Sequence, residues 1–84
     1  MFEIHRLGSG MWARTLNTWR KPSSLELWRN DRFEPARSFE AEIRDQQVDA
    51  AGRLVVRLEN SQVWALSADG ANWTQLPDQL VPAR

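Results

Sequence analysis

Arg53-Leu54-Val55-Val56-Arg57-Leu58-Glu59, then Asn60-Ser61, then Gln62-Val63-Trp64-Ala65-Leu66, is the stretch on which the fold turns. Leu54, Val56 and Leu58 fall on one side and Arg53, Arg57 and Glu59 on the other, the period of two that a half-buried strand requires. Asn60-Ser61 leaves room only for a tight connection, so the two runs read as a hairpin. Asp49-Ala50-Ala51-Gly52 is a turn on the near side, and Asp69-Gly70 is another before Asn72-Trp73-Thr74-Gln75-Leu76. Upstream, Ser38 to Asp45 alternates Phe39, Ala41 and Ile43 with Ser38, Glu40, Glu42 and Arg44, which predicts a fourth strand. The rival there is a helix from Ser38 to Ala51 ended by Gly52, since Ala, Glu, Gln and Arg favour helices and Phe39 and Ile43 are four apart. Three turns joining four strands make a β-meander. Pro77 and Pro82 deny further pairing, so residues 77–84 read as a tail covering an edge.

The N-terminal half is less regular. Phe2 to Leu7 and Ser24 to Arg29 are short strand candidates, the second ending at the turn-like Asn30-Asp31. Between them, Trp12, Leu16 and Trp19 fall at i, i+4 and i+7, after Gly8-Ser9-Gly10 and before Lys21-Pro22, which predicts a short helix over Met11 to Lys21. The whole reads as a mainly β protein, β-dominated α+β, with five to six strands and one short N-terminal helix. The strands either close into a small antiparallel barrel or form a curled meander sheet covered by the helix.

The composition sets bounds on this. At 84 residues and 9.7 kDa, residues 1–84 form a single domain. Area scaling gives roughly 14,000 Å² for the unfolded chain against about 5,100 Å² folded, a burial of about 60%, which dimerisation would improve. There is no cysteine, hence no disulfide, thiolate metal site or thiol nucleophile. Five tryptophans and three phenylalanines supply the packing instead. The first residues lack a basic segment followed by an apolar run and no long apolar stretch occurs, so the expectation is a cytoplasmic protein without a membrane partner.

Eleven basic and eleven acidic residues cancel, which argues against an indiscriminate polyanion binder. The balance is uneven along the chain. Residues 1–37 carry seven basic and four acidic groups, and residues 38–84 four and seven. The two halves are expected to pair within one fold; pairing between subunits or facing an anionic partner are the other readings.

Several motifs invite chemistry. Gly8-Ser9-Gly10-Met11-Trp12-Ala13 fits G-x-G-x-x-A, but Glu3, His5 and Arg6 precede it where a dinucleotide fold has a continuous apolar strand, and the chain is too short for the required βαβ units. The glycines read as a strand-to-helix turn, and no cofactor is expected. Ser67-Ala68-Asp69-Gly70-Ala71-Asn72-Trp73-Thr74 resembles a shortened Asp-box, the Ser-x-Asp-x-Gly-x-x-Trp hairpin turn of sialidase-like propellers, with its glycine one residue early. What the resemblance implies is a hairpin and no catalysis. His5 is the single histidine, which leaves no second imidazole for a metal site. Glu40 and Glu42 would project from one strand face about 7 Å apart, a carboxylate pair in form, though solvent is their expected surrounding.

The remaining signal is arginine beside aromatics: Trp12-Ala13-Arg14, Trp19-Arg20-Lys21, Trp28-Arg29 and Arg32-Phe33, with ten of the eleven basic residues arginine. Either the tryptophans fill the core while their neighbours point outward, or the pair forms a recognition surface. Tryptophan and arginine are enriched at interface hot spots. The reading is a non-enzymatic protein-binding or assembly module that uses Trp12, Arg14, Trp19, Arg20, Lys21, Trp28, Arg29 and Arg32 toward a protein partner, a second copy included. Edge strands such as Ser24 to Arg29, or the one ending at Leu76, would offer homodimer pairing. The alternative is a small-barrel binder of single-stranded nucleic acid, holding bases on its aromatics. An enzyme using Glu40 and Glu42 stands third.

Overall fold

The computed structural model of the protein describes residues 2–77. The chain runs through eight strands: β1 Phe2–Arg6, β2 Trp12–Leu16, β3 Ser24–Arg29, β4 Arg32–Ser38, β5 Ile43–Val48, β6 Leu54–Leu58, β7 Val63–Leu66 and β8 Trp73–Leu76. β1 to β4 form one antiparallel sheet in chain order, and β5 to β8 form a second. The C-terminal meander is as its alternation and turns require.

The fold is all-β, and the expectations of a barrel, of five to six strands and of an N-terminal helix are corrected. Residues 12–16 are a strand because Ala13 and Thr15 are fully buried while Trp12 and Arg14 turn away, a period of two. Gly8-Ser9-Gly10 folds the chain straight back on β1, with Gly10 at φ 95°. β4 has no alternation to announce it, and Pro35 stands in its middle. It survives as an edge strand with a bulge: Leu25 faces Arg37 while Glu26 faces Pro35, so Ala36 is an extra residue on the β4 side. Residues 39–42 are a crossing between the sheets, and the strand expected from Ser38 begins only at Ile43. β3 lies between β2 and β4, so the expected pairing through Ser24–Arg29 as an edge is also corrected. Beyond Pro77, the tail expected over 77–84 lies outside the described residues.

The sheets pack face to face. Ala13, Leu25 and Leu27 of the first meet Leu54, Val56, Leu58 and Leu66 of the second, with Leu7, Phe39 and Ile43 closing the ends of the core. A smaller cluster of Val55, Val63 and Ala65, with Leu76 against it, sits on the second sheet's other side. Where β1 stacks near β5 the core becomes polar. Gln46 Oε1 accepts from Thr15 Oγ1 at 2.6 Å and from His5 Nε2 at 2.9 Å, and Gln46 Nε2 donates to Glu3 at 3.0 Å. Buried Ser23 ties the crossing down: its N–H donates to Ala41, its carbonyl accepts from Phe39, and its hydroxyl accepts from the Ile43 N–H and donates to Asn17 Oδ1. The buried Thr15 and Ser23 hydroxyls thereby find partners, as burial demands.

Four hairpins share one turn. A carbonyl accepts from the N–H three residues later, and that later residue has positive φ: Gly10, Gly52, Ser61 and Gly70. In the β7–β8 turn Ser67 Oγ donates to Asp69 and accepts from the Ala71 and Asn72 N–H groups, giving the hairpin expected there. In the β5–β6 turn Asp49 accepts from the Ala51 and Arg53 N–H groups and pairs with the Arg53 guanidinium at 2.8 Å. Partial burial works against the Asp49 carboxylate, but the Arg53 N–H and guanidinium hold it below its usual range. The Ser67 hydroxyl and the Ala71 N–H do the same for Asp69.

Gly8 and Gly52 bring the two backbones close together, the Gly8 N–H donating to the Gly52 carbonyl at 2.9 Å. A Cβ on Gly52 would lie 2.5 Å from Gly8 Cα, and φ there is +81°. Gly52→Ala is therefore expected to cost about 2–5 kcal/mol in urea unfolding, summing left-handed strain and overpacking. Ser61→Gly, in the equivalent but exposed position, should instead stabilise by about 0.5–1 kcal/mol, the relieved strain less the added freedom of the unfolded chain.

The lowered carboxylates set an acid dependence. A group that titrates lower in the folded chain contributes fully above its unfolded value, near pH 4, and loses that contribution as pH falls through the folded value. The urea midpoint should accordingly drop below about pH 4, and Asp49→Asn should make that drop shallower.

Candidate functional site

Alternation sends Ala13, Thr15, Leu25 and Leu27 inward, and the same rule sends every second residue of β1, β2 and β3 to the outer face of the first sheet. Those residues are not the charged set that an outer face normally carries. Phe2, Ile4, Trp12 and Trp28 are 56%, 54%, 43% and 44% exposed. The register arranges them in rows across the strands. Trp12 stands beside Arg6 on β1, and Trp28 beside Phe33 on β4; Ile4 stands beside Arg14, and Arg14 beside Glu26.

Arg14 lies across the middle of this face. Its Nε and Nη2 both donate to Glu26 Oε1, at 2.8 and 2.6 Å, while the guanidinium carbon lies 4.6 Å from the Phe2 ring centre and 4.2 Å from that of Phe33. Arg6 sits 5.4 Å from the Trp12 ring centre, and Trp28 meets Phe33 edge to face at 5.1 Å. The result is an aromatic surface braced by its own guanidinium groups.

The residues singled out from the sequence divide into three places. Trp12, Arg14 and Trp28 share the outer face. Trp19, Arg20 and Lys21 lie in the β2–β3 loop at one end of the molecule, and Arg29 and Arg32 flank the β3–β4 hairpin at the other. Trp19 is 79% exposed, with Arg20 stacked 4.6 Å from its ring centre. The Arg20 backbone is left-handed, φ 61°, and its N–H donates to Glu42 Oε1 at 2.6 Å. That loop forms one wall of an open cleft whose other wall holds Glu40, Glu42 and Glu59. Glu40 and Glu42 thus sit on the crossing, not on a strand, and the in-line pair expected of them is corrected. Asn30 and Asp31 both have positive φ, the two-residue turn that places Arg29 opposite Arg32. Arg29 reaches the Gly70 carbonyl of the second sheet at 3.4 Å, and Arg32 pairs with Glu34 at 3.3 Å.

Arg37 is the fourth arginine against aromatics, on the inner side of the bulge. Its guanidinium lies 4.1 Å from the Trp64 ring centre, 4.9 Å from Trp73 and 5.6 Å from Phe39, bridging the two sheets. Trp64 and Trp73 are packed against the core, as their place in the meander implies. Phe2, Ile4 and Glu26, not singled out from the sequence, complete the outer face together with Phe33, which the sequence marked beside Arg32. The signal for Phe2 and Ile4 was the period of two in Phe2-Glu3-Ile4, with apolar residues at the outer positions, and that for Glu26 was its alternation with Leu25 and Leu27.

No protein-family model, curated protein or solved structure matches this chain. Among the described residues no group of three His, Asp or Glu gathers as metal ligands, and no helix is long and apolar enough to cross a membrane.

A face that serves contact more than folding should tolerate truncation. Leu27→Ala, at a site 1% exposed, is expected to cost about 2–5 kcal/mol, whereas Trp28→Ser next to it should cost about 1 kcal/mol or less. Urea unfolding at low protein concentration makes the comparison.

Proposed function

We propose that the protein is a non-enzymatic protein-binding module whose docking surface is the outer face of the first sheet. The observation that carries this is the exposure of Phe2, Ile4, Trp12 and Trp28 together on one face. Burying such a side chain fully contributes about 1.5–3 kcal/mol, so leaving four of them half open forgoes several kcal/mol. A domain of this size has only about 5–10 kcal/mol of net stability. Half-open aromatic and aliphatic side chains gathered round arginine have the composition of a recognition patch.

Single-stranded nucleic acid is the second reading, favoured by Trp19 standing open beside Arg20 and Lys21. It ranks lower because Arg6, Arg14 and Arg20 already occupy the ring faces of Trp12, Phe2, Phe33 and Trp19 that bases would stack upon.

The test is photo-crosslinking in the native host with benzoylphenylalanine at position 28 and, as control, at Thr74 on the second sheet. Discrete protein adducts from position 28 alone support the reading. Equal or absent adducts at both positions overturn it.

A further inference from the structure

The outer face is complementary to itself, and we infer that its partner is a second copy of this chain, docked face to face about a two-fold axis parallel to the strands and lying between β2 and β3. This rests on the reading of that face as a protein-docking surface and names its occupant.

The register supplies the argument. A half turn about that axis lays β2 of one copy over β3 of the other, and β1 over β4. Each row of the face then meets itself reversed. In the central row, Arg14 of one copy comes over Glu26 of the other and Glu26 over Arg14, two opposite-charge contacts related by symmetry. In the next row Trp12 meets Trp28, and Arg6, already seated on one indole, meets the Phe33 ring. At the flanks Ile4 meets Pro35. The other half turn lying in the face, with its axis across the strands, fails on charge. It sets Arg14 over Arg14 and Glu26 over Glu26, and like charges so placed are repulsive. Complementarity thus selects one of the two symmetric arrangements.

Size sets the strength. Four strands at about 4.8 Å and five residues at about 3.3 Å span roughly 19 by 17 Å, about 320 Å² in plane per partner, which is the scale of a weak, transient interface. A weak dimer dissociating in the micromolar range, with the strands of the facing sheets aligned along the axis, is the expectation. Arg14 and Glu26 keep 28% and 25% of their side-chain surface, so docking removes the remaining water from an ion pair that is already formed. The charges therefore choose the register, and the aromatics supply the affinity.

Sedimentation of the full chain from about 1 µM to about 500 µM should show a reversible monomer–dimer equilibrium. Arg14→Glu alone and Glu26→Arg alone should each weaken it at least tenfold. An equimolar mixture of those two variants should restore it. In the mixed dimer the introduced carboxylate at position 14 faces the introduced guanidinium at position 26, while native Glu26 faces native Arg14 in the other contact. If either charge variant fails to fold, Ile4→Cys and Pro35→Cys, both at exposed positions, decide instead. Within one chain the two sites lie on opposite edge strands, roughly 14 Å apart. A short bismaleimide should join one variant to the other and neither to itself. A wild-type chain that stays monomeric throughout, a charge mixture no tighter than its components, or no mixed crosslink overturns the inference. A monomer whose position-28 crosslinker captures a different protein would overturn the second copy while leaving the docking reading intact.

Discussion

Gly8 against Gly52 is the contact that everything else must accommodate, because two backbones meet there closer than any side chain allows. It joins the β1–β2 turn to the β5–β6 turn, the corresponding hairpin of the other sheet. Ser9 adds a second bond across the same end, its N–H donating to the Ala68 carbonyl at 3.2 Å. With the turns pinned, the inner residues of both sheets are brought to a common depth, and Leu27, Leu54 and Leu66 fill the space without a covalent staple. The opposite end is pinned by Ser23, whose three bonded groups fix where the crossing leaves the first sheet and enters the second. The sandwich is thus held at both ends by backbone geometry, and apolar packing has only the middle to fill.

The uneven charge along the chain becomes unevenness between sheets. Arg14–Glu26, Arg32–Glu34, Arg44–Glu59 and Arg53–Asp49 are each internal to one sheet. Among the described residues, the contacts that cross between sheets include Gln46 with Thr15 and His5, Arg29 on a carbonyl, and Arg37 among three rings, each neutral or charged on one side only. Arg37 Nε, buried without a hydrogen-bond partner, shows how far aromatic faces substitute for an anion there.

Much of the fold was legible where alternation was strict, and the errors share a cause. A spacing of four satisfies both a helix and a strand, since it is one helical turn and also two strand periods. Trp12 and Leu16, and Phe39 and Ile43, carried that ambiguity. Trp12–Leu16 is resolved by Ala13 and Thr15, small residues that only a buried strand face explains; Phe39–Ile43 is resolved by Ser23, which holds the crossing extended. β4 was illegible because its register is broken by Ala36, so no period survives, and Pro35 marks the bulge rather than the end of structure. The candidate site suffered differently. Of the arginine–aromatic pairs, Trp28-Arg29 and Arg32-Phe33 are chain neighbours that their strands place on opposite faces, and Trp19-Arg20 lies in a loop; only Trp12 and Arg14, two apart, share the face, which is assembled from alternate residues of four strands.

The edges of this molecule decide how its exposed face is to be understood. A sheet protein can associate through unpaired edge strands, and that is the hazardous route because it propagates. Here β4 is interrupted by Pro35 and a bulge and carries the Arg32–Glu34 pair, while β8 is only four residues long and is followed at once by Pro77. β1 bears Glu3 and Arg6, and Glu3 is bonded across to Gln46. Edge pairing is discouraged on each of these strands, yet among the described residues nothing comparable guards the outer face of the first sheet. A charge such as lysine at position 4 or 28 would have masked it at little cost to folding, since those sites are half exposed already. The central charges, Arg14 and Glu26, neutralise one another, and Arg14 flattens against the phenylalanines while Arg6 lies over Trp12, so they organise the apolar surface without concealing it. Protection at the edges with exposure on the face is what the proposed face-to-face pairing requires, because a two-fold contact closes on itself whereas edge pairing propagates.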